Sequence, residues 1–304
     1  MKKLLGIALA SAAAGVCLSA LKKASDEQTV ELSPVKRSSP NKKAILVVSF
    51  GTSYAQTREK TIGAIEEDFR SAFPEYTIRR AFTSKMIIKK LRERDGIEVD
   101  TVAQALEKLE AEGYSTVICQ PTHVMGGFEF DDVKREVENW KGRFDHIACG
   151  WPLLTSSEDY EQVTEALVQE FSDIPSDAAL VLMGHGTEHP ANATYPALDY
   201  RLKARGCKNF FVGTVEGYPD LQTVMQEVAA IHASKVFLAP LMVVAGDHAI
   251  NDLCGEEEDS WKSCFEQAGY QTEPILKGLG EYPAFRRIYL EHCVQCIQSL
   301  ESEQ

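Results

Sequence analysis

ILVVSFGTS, residues 45–53, and ALVLMGHGTEH, residues 179–189, repeat one pattern and point to the architecture of this chain. Each segment is a continuous apolar run followed by a small residue, a large ring and a Gly-Thr step. Aligning the two segments pairs Phe50 with His185. A run of this kind is typical of a strand that is buried on both faces of a parallel sheet. The chain is therefore expected to consist of two related halves.

A second pair of segments repeats farther along each half. TVICQPTHVMGGFEFDD, residues 116–132, aligns with KVFLAPLMVVAGDHAIND, residues 235–252, and this alignment pairs Glu129 with His248. Two related halves that face each other enclose a cleft. The loops that carry the matched residues are expected to line this cleft.

Strand and helix patterns alternate through both halves of the chain. The predicted strands are short apolar runs rich in β-branched residues, at residues 44–50, 77–82, 116–120, 146–151, 179–183, 209–215 and 236–241. The alternation predicts an α/β fold of two pseudo-symmetric lobes, each with a central parallel sheet flanked by helices. Ligands of such folds bind beyond the carboxyl ends of the strands. We therefore expect the active site in the cleft between the lobes.

Two helix starts are predicted from capping patterns. Ser53, with Gln56 three residues later, has the capping-box pattern. Thr101 precedes an apolar stripe with helical spacing, and Gly113 follows that stripe. Helices are therefore expected to begin just after residues 53 and 101.

The composition divides the chain into four parts. Residues 1–21 read as a signal peptide or an anchor, and residues 22–43 as a flexible polar linker that contains Pro and Ser. Residues 44–150 are predicted to form an N-terminal α/β lobe and residues 151–304 a C-terminal α/β lobe. A last helix is predicted at residues 283–300, and it is able to pack back on the N-terminal lobe.

The first residues, MKKLLGIALASAAAGVCLSALKK, place two lysines before an apolar run of small residues. This arrangement is typical of an export signal, so the protein is expected to be periplasmic, or membrane-anchored and facing the periplasm. A lipid anchor at Cys17 is an alternative, although Val16 is too bulky for a good lipoprotein site. Membrane contact is expected only through this segment, if it is retained or lipidated.

The formal net charge of -13 argues against nucleic acid as a partner. No basic face with interleaved aromatic residues occurs in the sequence. The cysteines that follow Cys17 are odd in number and irregularly spaced, which does not predict a disulfide framework. Cys293-x-x-Cys296 lies on the predicted C-terminal helix, where a redox role is not expected.

Three side chains that can bind metals follow predicted strands of the C-terminal half: His185, Glu216 and His248. Two imidazoles and one carboxylate suit a first-row divalent metal such as cobalt, nickel, iron or zinc. An alternative role for Glu216 is to begin a helix, where its charge favours the helix dipole. Glu129, the counterpart of His248, is a candidate proton acceptor.

Two aspartates lie close to His248 in the sequence. Asp247 is expected either to orient an imidazole or to hold a turn, and Asp252 to cap the following segment. Among the other histidines, His123 and His189 are candidates to line the cleft.

Residues 79–94 are basic against an acidic background. One interpretation is a site for a polycarboxylate substrate, with Arg79, Lys85 and Lys89 as candidate substrate contacts. The alternative is a solvated helix face.

Several segments resemble the anaerobic cobalt chelatase family, the sirohydrochlorin cobaltochelatases, in order and spacing. They are LVVSFGTSY, RAFTSKMIIKKLRERDGI, MGHGTEH, VGTVEGYP, PLMVVAGDHAINDL and EDSWK. The resemblance runs through nearly all of residues 43–300. It implies two pseudo-symmetric α/β lobes and the insertion of Co²⁺ into the tetrapyrrole sirohydrochlorin without ATP. It also implies that His185, Glu216 and His248 hold the metal, and that Glu129 acts with the two histidines in catalysis.

One departure from similar exported members concerns haem. Those members carry a histidine that binds haem between subunits, and Asp131 stands at that position here, so haem is not expected by that route. The partners implied are sirohydrochlorin and a divalent metal ion, with Co²⁺ as substrate and Fe²⁺ or Ni²⁺ as alternatives. Assembly into a homo-oligomer stays open.

Other functions compete with cobalt insertion. An exported protein lies away from cytoplasmic tetrapyrrole synthesis, so one rival is a non-catalytic carrier of metal or tetrapyrrole. A second rival is an iron chelatase for sirohaem or haem. A metal-dependent hydrolase has no support from a further nucleophile or general-base motif.

Overall fold

The computed structural model describes residues 41–302 and contains two parallel sheets of four strands each. The strands are, in chain order, β1 (Lys43–Ser49), β2 (Tyr76–Phe82), β3 (Thr116–Pro121), β4 (His146–Cys149), β5 (Ala179–Gly184), β6 (Phe210–Thr214), β7 (Lys235–Pro240) and β8 (Gln271–Pro274). Their order is β2-β1-β3-β4 in the first sheet and β6-β5-β7-β8 in the second. The two-lobed α/β fold predicted from the sequence is confirmed.

Helices connect successive strands, as parallel sheets require. The α-helices are α1 (Ala55–Arg58), α2 (Ala64–Ala72), α3 (Lys85–Asp95), α4 (Val102–Ala111), α5 (Phe128–Asn139), α6 (Ser157–Glu170), α7 (Thr194–Ala204), α8 (Leu221–Ala230), α9 (Trp261–Gln267) and α10 (Pro283–Ser302). A π-helical segment, Glu59–Gly63, joins α1 to α2, and a second one, Ala249–Leu253, follows His248. In the described residues, 41–302, no helix is both long and apolar enough to cross a bilayer.

The central strands are the ones that the sequence reveals most clearly. In β1 every residue after Lys43 is buried, and all of β5 is buried. These strands lie between helical layers, so their sequences are continuous apolar runs. Strand β8 was not predicted, because its sequence QTEP is short, polar and mostly exposed at the sheet edge.

The two sheets repeat each other in their hydrogen bonds as well as in strand order. Beyond β3, Thr122 N donates to Val48 O at 2.8 Å, and beyond β7, Leu241 N donates to Met183 O at 2.7 Å. The sequence repeat pairs Val48 with Met183 in its first alignment and Thr122 with Leu241 in its second. The loops at the carboxyl ends of equivalent strands therefore start from equivalent backbone positions.

The last helix, α10, follows the second sheet in the chain but packs against β3 and β4 of the first sheet. The buried hydroxyl of Tyr289 donates to Thr122 O at 3.0 Å. His292 lies 2.8 Å from Asp159 of α6 through its Nε2. The apolar side chains of α10 share one cluster with the inner faces of both sheets, so this helix buries apolar area in both lobes.

The two predicted helix starts had different outcomes. The helix start at Thr101 is confirmed. A capping box forms there, because the Thr101 side chain accepts from Gln104 N and the Gln104 side chain accepts from Thr101 N. A helix also begins near Ser53, but the capping box predicted there is wrong. Helix α1 begins at Ala55, and its N-cap residue, Tyr54, makes no capping hydrogen bond. Ser53 is instead held by its carbonyl, which accepts from Arg94 at 2.5 Å.

The predicted leader and most of the predicted linker, residues 1–40, lie outside the described residues.

Candidate metal centre

His185, Glu216 and His248 lie beyond the carboxyl ends of three neighbouring strands of the second sheet. His185 follows β5, which is hydrogen-bonded to β6 on one side and to β7 on the other. Glu216 follows β6, and His248 lies in the longer loop after β7. Parallel strands end at one edge of the sheet, so side chains far apart in the sequence meet there.

One possible ligand atom from each of these side chains lies within 4.8 Å of the other two. The rings of His185 and His248 are nearly perpendicular, with centroids 4.6 Å apart. His185 Nδ1 is 3.8 Å from Glu216 Oε2. Two imidazoles and a carboxylate at this separation can hold a first-row divalent ion.

The loops that carry His185 and Glu216 are packed backbone to backbone. Gly186 has φ +84°, and a Cβ atom there would lie 2.6 Å from Gly217 N. Glu216 N donates to His185 O at 2.8 Å. Only glycine combines this backbone conformation with so close an approach, so the position of the two ligands depends on Gly186.

Hydrogen bonds at Nδ1 set the orientation of both imidazoles. His185 Nδ1 lies 2.9 Å from Gly186 O, and His248 Nδ1 lies 2.7 Å from Asp252 Oδ2. A carbonyl or carboxylate oxygen accepts, so Nδ1 donates in each neutral ring and leaves the lone pair of Nε2 available to a metal. Partners of this kind fix the tautomer of metal-binding histidines.

Of the expectations for the two aspartates near His248, the one for Asp252 was wrong. Asp252 orients the imidazole instead of capping a segment, because a helical turn places it four residues after His248 on the same side. The side chain of Asp247 is directed to the first lobe instead. Its carboxylate accepts from Tyr54 OH of the first lobe at 3.0 Å, and this hydrogen bond raises the pKa of Tyr54.

A second contact between the lobes involves His189. Its Nε2 lies 3.2 Å from Asp131 Oδ2, and its ring meets the ring of Phe128 edge-on, with centroids 4.9 Å apart. Phe128 and Asp131 flank Glu129 in the first turn of α5. The turn that carries Glu129 is therefore in contact with the loop that carries His185.

Asp131 stands where similar exported members are expected to carry a haem-binding histidine. Its carboxylate has two cationic or polar neighbours. Asp131 pairs with Lys134 at 2.9 Å as well as with His189. The hydrogen bond from Lys134 lowers the pKa of this carboxyl, and His189 adds to the effect. The expectation that haem does not bind by this route stays a prediction.

His123 lies just after β3, and its two ring nitrogens are buried without a hydrogen-bond partner. Burial lowers the pKa of this histidine to about 4, although the charge of Glu129 acts in the opposite direction. The ring is therefore neutral at pH 7. Its backbone carbonyl is held by Leu153 N at 2.9 Å and by Tyr289 OH at 3.3 Å.

The three basic residues predicted to contact substrate do not converge with the histidines. Arg79 lies in the middle of β2 and pairs with Glu112 at 2.5 Å. Lys85 and Lys89 line a surface cavity of about 570 Å³ between α3 and α4. Acidic side chains line the same cavity, among them Glu98. This mixed surface agrees better with a solvated helix face than with a dedicated anion site.

The candidate metal site is open to solvent. The exposed fractions of the side chains are 42% for His185, 59% for Glu216 and 35% for His248. Structural metal sites are usually closed by protein ligands, whereas sites that exchange ligands or act on a substrate keep positions free. The fold and the site together define an α/β protein with an open cluster of side chains that could hold a divalent metal ion.

The chain belongs to the cobalt chelatase (CbiK) family, whose model matches residues 43–298. The resemblance seen in the sequence is thus confirmed. The chain is 44% identical over 262 residues to the sirohydrochlorin cobaltochelatase of Salmonella typhimurium, covering 86% of this chain and 99% of that protein. It is 34% identical over 273 residues to sirohydrochlorin cobaltochelatase CbiKC of Nitratidesulfovibrio vulgaris, covering 89% of this chain and 96% of that one.

A solved structure, SirB from Bacillus subtilis with Fe³⁺, superposes with a TM-score of 0.59 at 14% identity. The match covers 86% of this chain and 98% of that chain. At this identity the comparison supports the two-lobed fold alone.

We expect Gly186→Ala to weaken Co²⁺ binding by at least about tenfold, because the new Cβ would push His185 and Glu216 apart. Isothermal titration with Co²⁺ measures the affinity. Gly206→Ala is the matched control, since Gly206 has φ +96° and no atom within 4 Å of the added Cβ. It should lose about 1 kcal/mol of unfolding free energy and bind Co²⁺ normally. Unchanged affinity in Gly186→Ala would contradict the packing argument.

The pKa of His123 predicts a pH dependence of stability. Because its folded pKa, about 4, lies below the ordinary 6.5, the unfolded chain takes up a proton that the folded chain does not. The stabilisation is complete above pH 6.5 and is lost as the pH falls towards 4, by at most about 1.4 kcal/mol per pH unit.

Urea unfolding of the metal-free protein across this pH range provides the measurement. His123→Phe should show a shallower loss of stability than wild type, because no imidazole is left to protonate. His232→Asn is the control: His232 is exposed with φ 54°, a conformation that Asn tolerates. If the free energy of unfolding falls equally steeply with pH in wild type and His123→Phe, His123 is not the group responsible for the loss of stability.

Proposed function

We propose that this protein inserts Co²⁺ into sirohydrochlorin. Membership of the cobalt chelatase family and two relatives named sirohydrochlorin cobaltochelatase support this substrate pair. The observation that carries the proposal is the convergence of His185, Glu216 and His248 on one open position. A chelatase needs such a site, because it must hold an ion and still present it to another ligand.

The open side of the centre accounts for metal transfer. The three side chains replace part of the water shell of Co²⁺ while the exposed side faces the cleft. The macrocycle binds in the cleft, and its nitrogens displace the protein ligands. The chain's part in this exchange is to hold the two imidazoles in place through Gly186 O and Asp252, so that little reorganisation is needed.

Metal insertion also releases pyrrole N–H protons, and these need an acceptor. Glu129 is the proposed one. It is exposed in the first turn of α5, and its neighbours Phe128 and Asp131 contact His189. This places a carboxylate of the first lobe beside the loop of the metal centre. Neutral imidazole that loses the metal can accept a proton in the same step.

The choice of Co²⁺ over Fe²⁺ or Ni²⁺ rests on the names of the relatives, because imidazole and carboxylate ligands discriminate poorly among these ions. We also propose that the protein acts outside the cytoplasm. Support comes from its first residues, where two lysines precede an apolar run of small residues.

An anaerobic absorbance assay with sirohydrochlorin and Co²⁺ tests the function. We expect His185→Ala and His248→Ala to lower the rate of insertion by at least about 100-fold, because each removes a proposed metal ligand. His232→Asn removes an exposed imidazole outside the site and should keep the wild-type rate. Parallel assays with Fe²⁺ and Ni²⁺ compare the metals.

Three results would contradict the proposal. A wild-type rate of insertion in either alanine variant would show that the reaction does not require the proposed metal centre. Tight stoichiometric binding of sirohydrochlorin or cobalt without turnover by the wild-type protein would favour the carrier. A far higher rate with Fe²⁺ than with Co²⁺ would favour an iron chelatase.

A further inference from the structure

The first lobe has a structural counterpart of the position that His185 occupies in the second. Phe50 follows β1 as His185 follows β5, and each is followed by a glycine with positive φ, +100° at Gly51 and +84° at Gly186. Ser84 N donates to Phe50 O at 3.2 Å, as Glu216 N donates to His185 O. The two side chains therefore leave equivalent backbone positions at equivalent strand ends.

The loops after these residues are also alike. Tyr54 N donates to Thr52 Oγ1 at 3.3 Å, and His189 N donates to Thr187 Oγ1 at 3.1 Å. Tyr54 and His189 then each make a contact with the opposite lobe, to Asp247 and Phe128 respectively. Asp247 and Phe128 are themselves counterparts in the sequence repeat. Both sides of the cleft are thus closed by related contacts.

By these relations the counterparts of His185, Glu216 and His248 in the first lobe are Phe50, Ser84 and Glu129. This second set lacks the chemistry of a metal centre. A phenyl ring offers no ligand atom, and the Ser84 side chain caps α3 by accepting from Ile87 N at 3.3 Å. Of these three side chains, only the carboxylate of Glu129 remains as a possible metal ligand. The cleft therefore has a polar, metal-binding side and a side whose central feature is an aromatic ring.

Phe50 is unusually exposed for its place in the chain. All residues of β1 from Ala44 to Ser49 are buried, yet the next side chain is 42% exposed. Its backbone is held by the hydrogen bond from Ser84 N to Phe50 O, and the turn after it requires Gly51, because a Cβ there would lie 2.5 Å from the Phe82 ring. The fold thus holds an apolar ring in contact with water, at a position equivalent to that of a metal ligand.

The hydrogen bond between Tyr54 and Asp247 links the loop after β1 to the loop that carries His248. Tyr54 lies four residues after Phe50, and Asp247 directly precedes His248. The loop that carries Phe50 is therefore in contact with the loop that carries one of the metal ligands. A flat ligand that lies over the metal centre would present its other face to the first lobe.

We propose that Phe50 is a substrate-binding residue that packs against the face of the tetrapyrrole turned away from the metal. This inference rests on the proposed function, because the proposed function names sirohydrochlorin as the molecule that Phe50 would contact. Contact with the ring covers the apolar surface of Phe50 and adds an aromatic interaction with the conjugated macrocycle. It also holds the macrocycle between Phe50 and the ion, so that its nitrogens face His185 and His248.

Titration of the metal-free protein with sirohydrochlorin, followed by absorbance, tests the proposal. We expect Phe50→Ala to raise the Kd for sirohydrochlorin by about tenfold, and Phe50→Tyr to keep it within about twofold because the ring is retained. Co²⁺ affinity, measured by isothermal titration, should be unchanged in both variants. Tyr200→Ala is the matched control, because Tyr200 is an aromatic residue on α7 that is 75% exposed.

The outcomes separate this inference from the proposed function. If the wild-type protein inserts cobalt and Phe50→Ala still binds sirohydrochlorin with wild-type Kd, the role of Phe50 is refuted and the function stands. If the wild-type protein neither binds sirohydrochlorin nor inserts cobalt, the function itself fails. Should Phe50→Ala fail to fold, Phe50→Leu decides: it keeps an apolar side chain without the ring, and an unchanged Kd would refute the aromatic contact.

Discussion

The hydrogen bond from Glu216 N to His185 O, at 2.8 Å, joins the two loops on which the metal centre is built. It forms only because Gly186 turns with positive φ and leaves no side chain between the loops. Once these backbones touch, a carboxylate and an imidazole from different strands face the same point. The loop after β7 then adds His248, which Asp252 holds in place. The site is thus a property of the strand ends and of the close packing between them.

The two lobes share the same strands and turns, but the side chains at equivalent positions of the cleft differ in their chemistry. Equivalent turns carry His185 in the second lobe and Phe50 in the first, and the residue that aligns with His248 is Glu129. A repeated fold therefore provides two opposing surfaces that share a backbone but not a function. One surface can bind a metal ion, and the other offers an aromatic ring and a carboxylate. This asymmetry suits a reaction in which an ion enters a flat molecule from one side.

Much of this could be predicted from the sequence, because the decisive signals are local and repeated. The buried runs of β1 and β5 and the Gly-Thr steps indicated the strands and the loops at their ends. The hydrogen bond of Asp252 with His248 was not predicted. It depends on a helical turn after His248, and no capping pattern in the sequence indicates this turn. The capping pattern at Ser53 gave a wrong prediction, because the N-cap of α1 is Tyr54 and the Ser53 carbonyl accepts from Arg94, a contact that local sequence does not show. The contact of His189 with Asp131 joins different lobes, and no spacing in the sequence shows it.

The convergence of three distant side chains on one ion is tested most directly by diffraction at the cobalt absorption edge from crystals soaked in Co²⁺. The account predicts one strong anomalous peak about 2.0–2.2 Å from ligand atoms of His185, Glu216 and His248. A peak at another position, or a cobalt-loaded structure in which these three side chains point away from one another, would contradict it.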